Sequence, residues 1–374
     1  VRVLIVAGEA SGDLHGSGVV RELKKRLPSV EVFGIGGDAM QREGMELLFH
    51  VKELSVMGFV EVLKHLPKIF SVERTLENIF YERKPNVVLL IDYPGFNLRF
   101  AQKIKKTNGT RVIYYISPQI WAWKKGRIKK MKSAIDTMCV VFPFEKDLYR
   151  EEGINVEFVG HPLLEELNVS SSRTNFFQQH QLDATKKLVA FFPGSRKQEI
   201  EKIFPVMMKT ARELRNKLNV QVAVGVAPTL DADFLQSYLS PKDEILLLSN
   251  RTHELMKHTD AAIVTSGTAT LETALFETPM MVVYKTSFPT YLLGKMVLRI
   301  SSIGLVNIVA GKNIVREYLQ ENATVKNFYG ETKRLLFDEP YRMEMKRNLS
   351  NVRHSLGTAG ASKRVAELIL QTQM

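Results

Sequence analysis

The apolar positions of the chain follow two patterns in alternation. Unbroken runs such as Val3-Leu4-Ile5-Val6, Val87-Val88-Leu89-Leu90-Ile91, Leu188-Val189-Ala190-Phe191-Phe192 and Ala261-Ala262-Ile263-Val264 show none of the polar alternation of a half-solvated strand. They predict parallel strands covered on both faces. Further strands are expected over 30–33, 111–116 and 137–142. Turns of small residues follow several of these strands, and then apolar residues recur at helical spacing: Val19, Val20, Leu23 and Leu27 in one case, Ile200, Ile203, Met207, Ala211, Leu214 and Leu218 in another. Strand, turn and helix in this order predict an α/β class. The polar stretch 167–187, with Ser170, Ser171 and Ser172, is the expected linker, and the pattern restarts beyond it. The expected architecture is therefore two Rossmann-like domains facing each other across a cleft, the first over 1–166 and the second over 167–344.

Composition narrows the setting. At 374 residues the chain exceeds one ordinary core, and 45% hydrophobic with 25% charged residues is typical of a globular protein. Cys139 is the only cysteine, which excludes an internal disulfide or a thiolate metal cluster and makes a reducing cytoplasmic setting the default. The chain opens directly on a strand, so no secretory signal is expected. Between Tyr291 and Val309 the apolar character is broken by Lys295, Arg299 and Asn307, which predicts an amphipathic segment and not a membrane span. The net charge of +12 calls for a polyanionic partner: nucleic acid, anionic lipid headgroups or a phosphorylated substrate.

Candidate chemistry concentrates at strand ends. Asp92 stops the run Val87–Ile91 and precedes Tyr93-Pro94-Gly95, at the sheet edge where α/β proteins bind ligands. It is a candidate general base, or a cap for the next turn. The first loop, Gly8-Glu9-Ala10-Ser11-Gly12-Asp13-Leu14-His15, is an anion-cradling strand-to-helix turn whose Glu9, Asp13 and His15 are rival bases or positioning groups. In the second half, Ser266, Gly267 and Thr268 bring amides and hydroxyls to a helix start, a site suited to a diphosphate. Glu272, one turn deeper, suits the hydroxyls of a ribose, and Arg196 in Pro193-Gly194-Ser195-Arg196 adds a guanidinium for phosphate. No spaced His/Cys cluster is present to hold a metal.

Two segments read in more than one way. Phe59, Leu63, Leu66 and Phe70 form a helical stripe that fits a core face, while Met57, Val60, Val62 and Ile69 beside Lys64 and Lys68 fit acyl-chain uptake or a membrane interface. Trp121 and Trp123 precede the basic run 124–132, which suits base stacking, sugar stacking, phosphate or a membrane surface, or is simply a solvated helix. A nucleic-acid-binding module is disfavoured because no RRM, KH or helix-turn-helix signature occurs.

Taken together, Gly8-Glu9-Ala10-Ser11-Gly12-Asp13, Val56-Met57-Gly58, Ile91-Asp92-Tyr93-Pro94-Gly95-Phe96-Asn97, Ser117-Pro118-Gln119-Ile120-Trp121-Ala122-Trp123, Phe142-Pro143-Phe144-Glu145, Pro193-Gly194-Ser195-Arg196 and Ser266-Gly267-Thr268-Ala269-Thr270-Leu271-Glu272 closely resemble the lipid-A-disaccharide synthase family. The resemblance runs in order to about Gly311. It implies a GT-B fold and inverting transfer of 2,3-diacylglucosamine from its UDP derivative to 2,3-diacylglucosamine 1-phosphate, giving a β-1,6 bond and UDP. It also implies Asp92 as the base, with Gly194, Ser195, Arg196, Ser266, Gly267, Thr268 and Glu272 on the nucleotide sugar. Asn307 falls in the family's Asn-x-x-Ala-Gly segment and joins that site, although Val306 stands where many relatives carry proline. Met57, Phe59, Val60, Leu63, Phe70, Trp121 and Trp123 become candidate acceptor or lipid contacts. No cofactor or metal is expected, nor any nucleic-acid partner. Peripheral attachment to an anionic membrane, on the inner face of the inner membrane, is expected. By analogy with GT-B proteins the tail, about 345–374, returns to the first domain. A rival within the fold is a UDP-GlcNAc transferase or epimerase acting on unacylated substrate. A homo-oligomer is neither required nor excluded.

Overall fold

Two wholly parallel sheets organise the chain in a computed structural model that describes residues 1–54, 59–105, 109–118, 127–286 and 302–371. The first contains β1 (Arg2–Ala7), β2 (Glu31–Gly36), β3 (Glu46–His50), β4 (Val87–Ile91), β5 (Arg111–Tyr115), β6 (Thr137–Val140) and β7 (Val156–Phe158), in the order β3-β2-β1-β4-β5-β6-β7. The second contains β8 (Leu188–Phe192), β9 (Gln221–Val226), β10 (Leu246–Ser249), β11 (Ala261–Thr265), β12 (Met280–Tyr284) and β13 (Glu317–Leu319), in the order β10-β9-β8-β11-β12-β13. Both carry the Rossmann reversal of strand order, at β1/β4 and at β8/β11. Ligands of such sheets gather outside the carboxyl ends of the strands at this reversal.

The unbroken apolar runs became the central strands. Every residue of β4, β8 and β11 is buried, and burying a large aliphatic side chain contributes about 1.5–3 kcal/mol. Register then fixes which loops meet. Ala7 lies opposite Ile91, so the turn after β1 and Asp92 leave the first sheet side by side. Val264 lies opposite Phe192, which does the same for the loops after β8 and β11.

The chain divides into two compact units, Val1–Glu165 with Leu356–Met374, and Glu166–Ser355. The helix Ala361–Leu370 lies on the first helix, Ala10–Arg26. Their approach is close enough that a Cβ on Gly18 would come within 2.3 Å of Ser362 Oγ. Arg26 reaches Glu367 at 3.3 Å, and the Glu165 carboxylate accepts the Gly360 and Ser362 amides at 3.0 and 2.9 Å.

Two expectations fail here. The stretch 167–187 is not a free linker: the helix Arg173–Gln179 buries Phe176 and Phe177, and Arg173 pairs with Asp260 at 2.8 Å. Two adjacent aromatics within a polar sequence were enough to anchor it. The helix Phe59–Arg83 turns Ile69, Val72, Leu76 and Phe80 into the core while Phe70 points out, 50% exposed beneath the Arg99 guanidinium. Its core stripe is therefore offset from one drawn through Phe70.

Candidate functional site

The chain leaves β4 through two consecutive residues in the left-handed region, Asp92 (φ 44°) and Tyr93 (φ 48°). Neither is glycine, so this turn is strained and must be held from outside. The Asp92 amide donates to the Tyr115 carbonyl at 3.0 Å. The Asp92 carbonyl accepts from Tyr114 Oη at 2.6 Å and from Asn97 Nδ2 at 2.7 Å. Asn97, fully buried, also reaches the Ile91 carbonyl at 3.2 Å. On the other side Gly8 makes room: a Cβ there would fall 2.1 Å from Tyr93 Cγ. Strand register, two tyrosines and an asparagine thus clamp the Asp92 backbone and fix the direction in which its side chain leaves it.

Burial pushes that carboxyl up to about 6, and the neighbouring Glu9 charge pushes the same way, against the Tyr93 amide and His15. A carboxylate at about 6 is a better proton acceptor than an ordinary one and is still ionised at neutral pH. The first loop supplies different services. Glu9 is exposed, His15 half-buried and Leu14 49% exposed. Asp13 is buried and accepts the amides of Gly37, Ala39 and Met40 at 2.7, 3.0 and 3.0 Å, so it ties the loop to the helix Asp38–Arg42. With three amides on its two oxygens, the Asp13 carboxylate is turned to the loop after β2, the arrangement of a positioning group.

His161 was not singled out as a site residue in the sequence. It is buried just after β7, and its Nδ1 accepts the Leu163 amide at 3.2 Å, which places the proton on Nε2. Burial, with His15 adding to it, lowers its pKa to about 3, so the ring is neutral. Ser117, at the head of the tryptophan loop, is buried and bonded to Glu145 and Tyr149, each at 2.9 Å. Met57, Trp121 and Trp123 lie outside the described residues, as do the side chains of Phe59, Val60 and Leu63.

In the second unit Gly194 turns the chain after β8 with a left-handed φ of 96°, which is what favours glycine there, since a Cβ would meet Thr265 only in ordinary contact at 3.5 Å. Ser195 is exposed, and Arg196 precedes the helix Lys197–Leu218 with its side chain 71% accessible, paired to Glu199 at 3.0 Å. After β11, Gly267 (φ 154°) begins the helix Thr268–Leu275, and no side chain caps it. Its first-turn amides are positioned for an anion, with exposed Thr268 beside them. Glu272 is partly exposed, 3.7 Å from His253.

Two residues expected at this site do other work. Ser266 directs both its donors inward, the amide to Val283 O at 3.0 Å and the hydroxyl to Ile303 O at 2.9 Å. Asn307 is buried with its amide fully engaged. Nδ2 donates to Val315 O and Glu317, while Oδ1 accepts the Ile314 and Val315 amides, all within 2.8–3.0 Å. No hydrogen-bonding capacity remains on Asn307 for a nucleotide, and its role is to hold the loop before β13.

A separate cavity of about 540 Å³ lies beside β13, lined by 313–319 with Tyr341, Glu344, Met345 and Asn348. Among the described residues no cluster of three or more His, Cys, Asp or Glu side chains is arranged for a metal ion, and no helix is long and apolar enough to cross a membrane.

Paired Rossmann-like units with ligand-type loops at both strand reversals define a GT-B protein. The fold matches UDP-GlcNAc 2-epimerase from Neisseria meningitidis bound to UDP-GlcNAc (TM-score 0.67, 14% identity, 99% of this chain and 100% of that one). It also matches the calicheamicin glycosyltransferase CalG4 (TM-score 0.63, 14% identity, 99% and 98%). Within that fold the chain belongs to the lipid-A-disaccharide synthase family of glycosyltransferases. The family model described as lipid-A-disaccharide synthetase matches residues 3–370. The lipid-A-disaccharide synthase of Trichlorobacter lovleyi is 43% identical over 371 residues, 99% of this chain and 97% of that protein.

Proposed function

We propose that the chain transfers 2,3-diacylglucosamine from its UDP derivative to the 6-hydroxyl of 2,3-diacylglucosamine 1-phosphate, with inversion to a β-1,6 bond and release of UDP. The observation that carries the mechanism is Asp92, a clamped carboxylate whose pKa burial raises to about 6. As the acceptor oxygen attacks the anomeric carbon, Asp92 takes its proton. The bond from that carbon to the diphosphate breaks, and the electron pair leaves with UDP. Inversion needs a single base on the face opposite the leaving group.

The departing diphosphate is met by Arg196 and by the amides of Gly267 and Thr268, with Gly194 and Ser195 shaping the turn and Glu272 on the ribose. Fixed dipoles and a guanidinium aimed at developing charge require no reorganisation during the reaction. Glu9 raises the basicity of Asp92, Asp13 anchors the loop, and His15 lies in the same charge cluster.

Membrane attachment belongs to the same reading. Lys129 and Lys132 are exposed on the helix Arg127–Lys132, and Leu14 and Phe70 expose apolar surface on the same unit. Cations draw the protein to anionic lipid while apolar side chains accept acyl chains. We place the protein in the cytoplasm, peripheral on the inner face of the inner membrane. Vesicle sedimentation should show binding to anionic lipid that weakens with salt. Indifference to lipid charge and to salt would remove the membrane part alone.

The activity is tested by UDP release in EDTA from UDP-2,3-diacylglucosamine with the acylated acceptor, against UDP-GlcNAc with glucosamine 1-phosphate. Turnover confined to the acylated pair is expected. Turnover of the unacylated pair only, or epimerisation of UDP-GlcNAc, would overturn the assignment.

A further inference from the structure

The donors that Ser266 and Asn307 turn inward converge, through one turn of backbone, on a single carboxylate. Ser266 Oγ donates to the Ile303 carbonyl at 2.9 Å. The amides of Ile303 and Gly304 donate to Glu317, to Oε2 at 2.9 Å and Oε1 at 3.1 Å. Asn307 Nδ2 donates to the same Oε1 at 2.8 Å, and Asn307 Oδ1 fastens the loop at Ile314 and Val315. Glu317 opens β13, on the strand next to β12, while Ser266 follows β11.

From this network we infer that Glu317 is a positioning residue for the nucleotide turn. Its carboxylate sets the Ile303–Gly304 backbone, the Ile303 carbonyl sets Ser266, and Ser266 sets the direction of the Gly267 and Thr268 amides. Three N–H donors face Glu317, which selects a carboxylate over its amide isostere. A glutamine would have to turn its own NH2 toward at least one of those donors. At this half-buried carboxylate such a mismatch shifts the backbone it holds, and amide donors lose their effect on an anion steeply with misplacement. Glu317 is far along the sequence from the turn it orients and has no place in the reaction itself.

The inference rests on the nucleotide site proposed for Arg196 and the Gly267–Thr268 turn. The test is UDP affinity by calorimetry for Glu317→Gln, Ser266→Ala, their combination and Arg196→Ala, with donor and acceptor KM and kcat for each. Glu317→Gln is expected to raise the UDP Kd and donor KM about fivefold or more while acceptor KM stays within twofold. A purely structural role would lower the melting temperature and leave this donor-against-acceptor split absent. Acting through one chain of contacts, the combined variant should bind UDP no more weakly than the worse single variant. A folded Glu317→Gln with wild-type UDP affinity overturns the inference, as does full additivity with Ser266→Ala. If Glu317→Gln does not fold, Ser266→Ala decides: unchanged UDP affinity there breaks the same chain from its other end and overturns it, and a fivefold loss upholds it. Affinity lost in Arg196→Ala but kept in Glu317→Gln defeats the positioning role alone. Affinity kept in both defeats the nucleotide site as well.

Discussion

The two strand reversals share one topology and are equipped for opposite tasks. At β1/β4 the backbone is strained, two successive non-glycine residues being left-handed, and it presents one half-buried residue, Asp92, whose carboxyl is pushed up to about 6 by desolvation. At β8/β11 the turns rely on glycines, Gly194 and Gly267, and offer helix-start amides and an accessible guanidinium. The first reversal disfavours the charge of one carboxyl, and the second gathers dipoles of the kind that favour an anion; in the proposed function these become the base and the leaving-group site. On the proposed reading, the same fold separates proton transfer from leaving-group binding by the loops it carries.

The comparison breaks if the acid dependence of turnover does not come from the first reversal. At saturating substrates kcat should fall about tenfold per pH unit below pH 6, because Asp92 must be ionised to accept a proton. A stopped or coupled assay of UDP release from pH 4.5 to 8.5 checks this, and a limb near pH 4 would show an unperturbed carboxylate at work. The next largest effect belongs to the second reversal. Arg196→Ala should weaken UDP binding about tenfold and leave the pH limb in place, measured by calorimetry and the same rate profile. A moved limb would mean that the two edges are not separable.

Stability gives a smaller, sharper signature. With its carboxyl at about 6 in the folded protein and at the ordinary 3.8 when unfolded, Asp92 binds its proton more tightly in the folded state. Its charge therefore costs stability, fully above pH 6 and not at all below about pH 4. Asp92→Asn, whose side chain tolerates a left-handed φ, should stabilise the protein by on the order of 1–3 kcal/mol at pH 8 and lose that advantage by pH 4. Urea unfolding at the two pH values reads the difference, and equal gains at both would refute the raised pKa. The smallest effect is for Glu9→Gln. Removing a negative neighbour lowers the Asp92 pKa, so the acid limb should move down by a few tenths of a unit. Movement upward would place Glu9 in another role.

What the sequence disclosed was the part written in adjacent residues. Unbroken apolar runs ending at Asp92 and before Ser266 showed the central strands and the edge where ligands gather, since a strand buried on both faces cannot hide its pattern. Arg196 and the Gly267–Thr268 turn followed from the same reading. What stayed hidden depends on partners far along the chain. Asp13 looked like a possible base until Gly37, Ala39 and Met40 claimed it, and Asn307 looked like a ligand contact until the loop before β13 did. The edge strands β7 and β13 are three residues long and only partly buried, so they carry no apolar run to announce them, and the run Leu47-Leu48-Phe49 of β3 is bounded by Glu46 and His50 and half-exposed. Asn97, five residues beyond Asp92, had a legible spacing, yet its bond to the Asp92 carbonyl required the left-handed turn to be seen.

The central claim is that Asp92 performs chemistry and not binding, and the most direct measurement is UDP release by Asp92→Asn beside its UDP affinity. The account predicts turnover reduced about a hundredfold or more with UDP Kd within twofold of wild type in a folded protein. Turnover that persists in that variant would contradict it and move the base to His15 or Glu9.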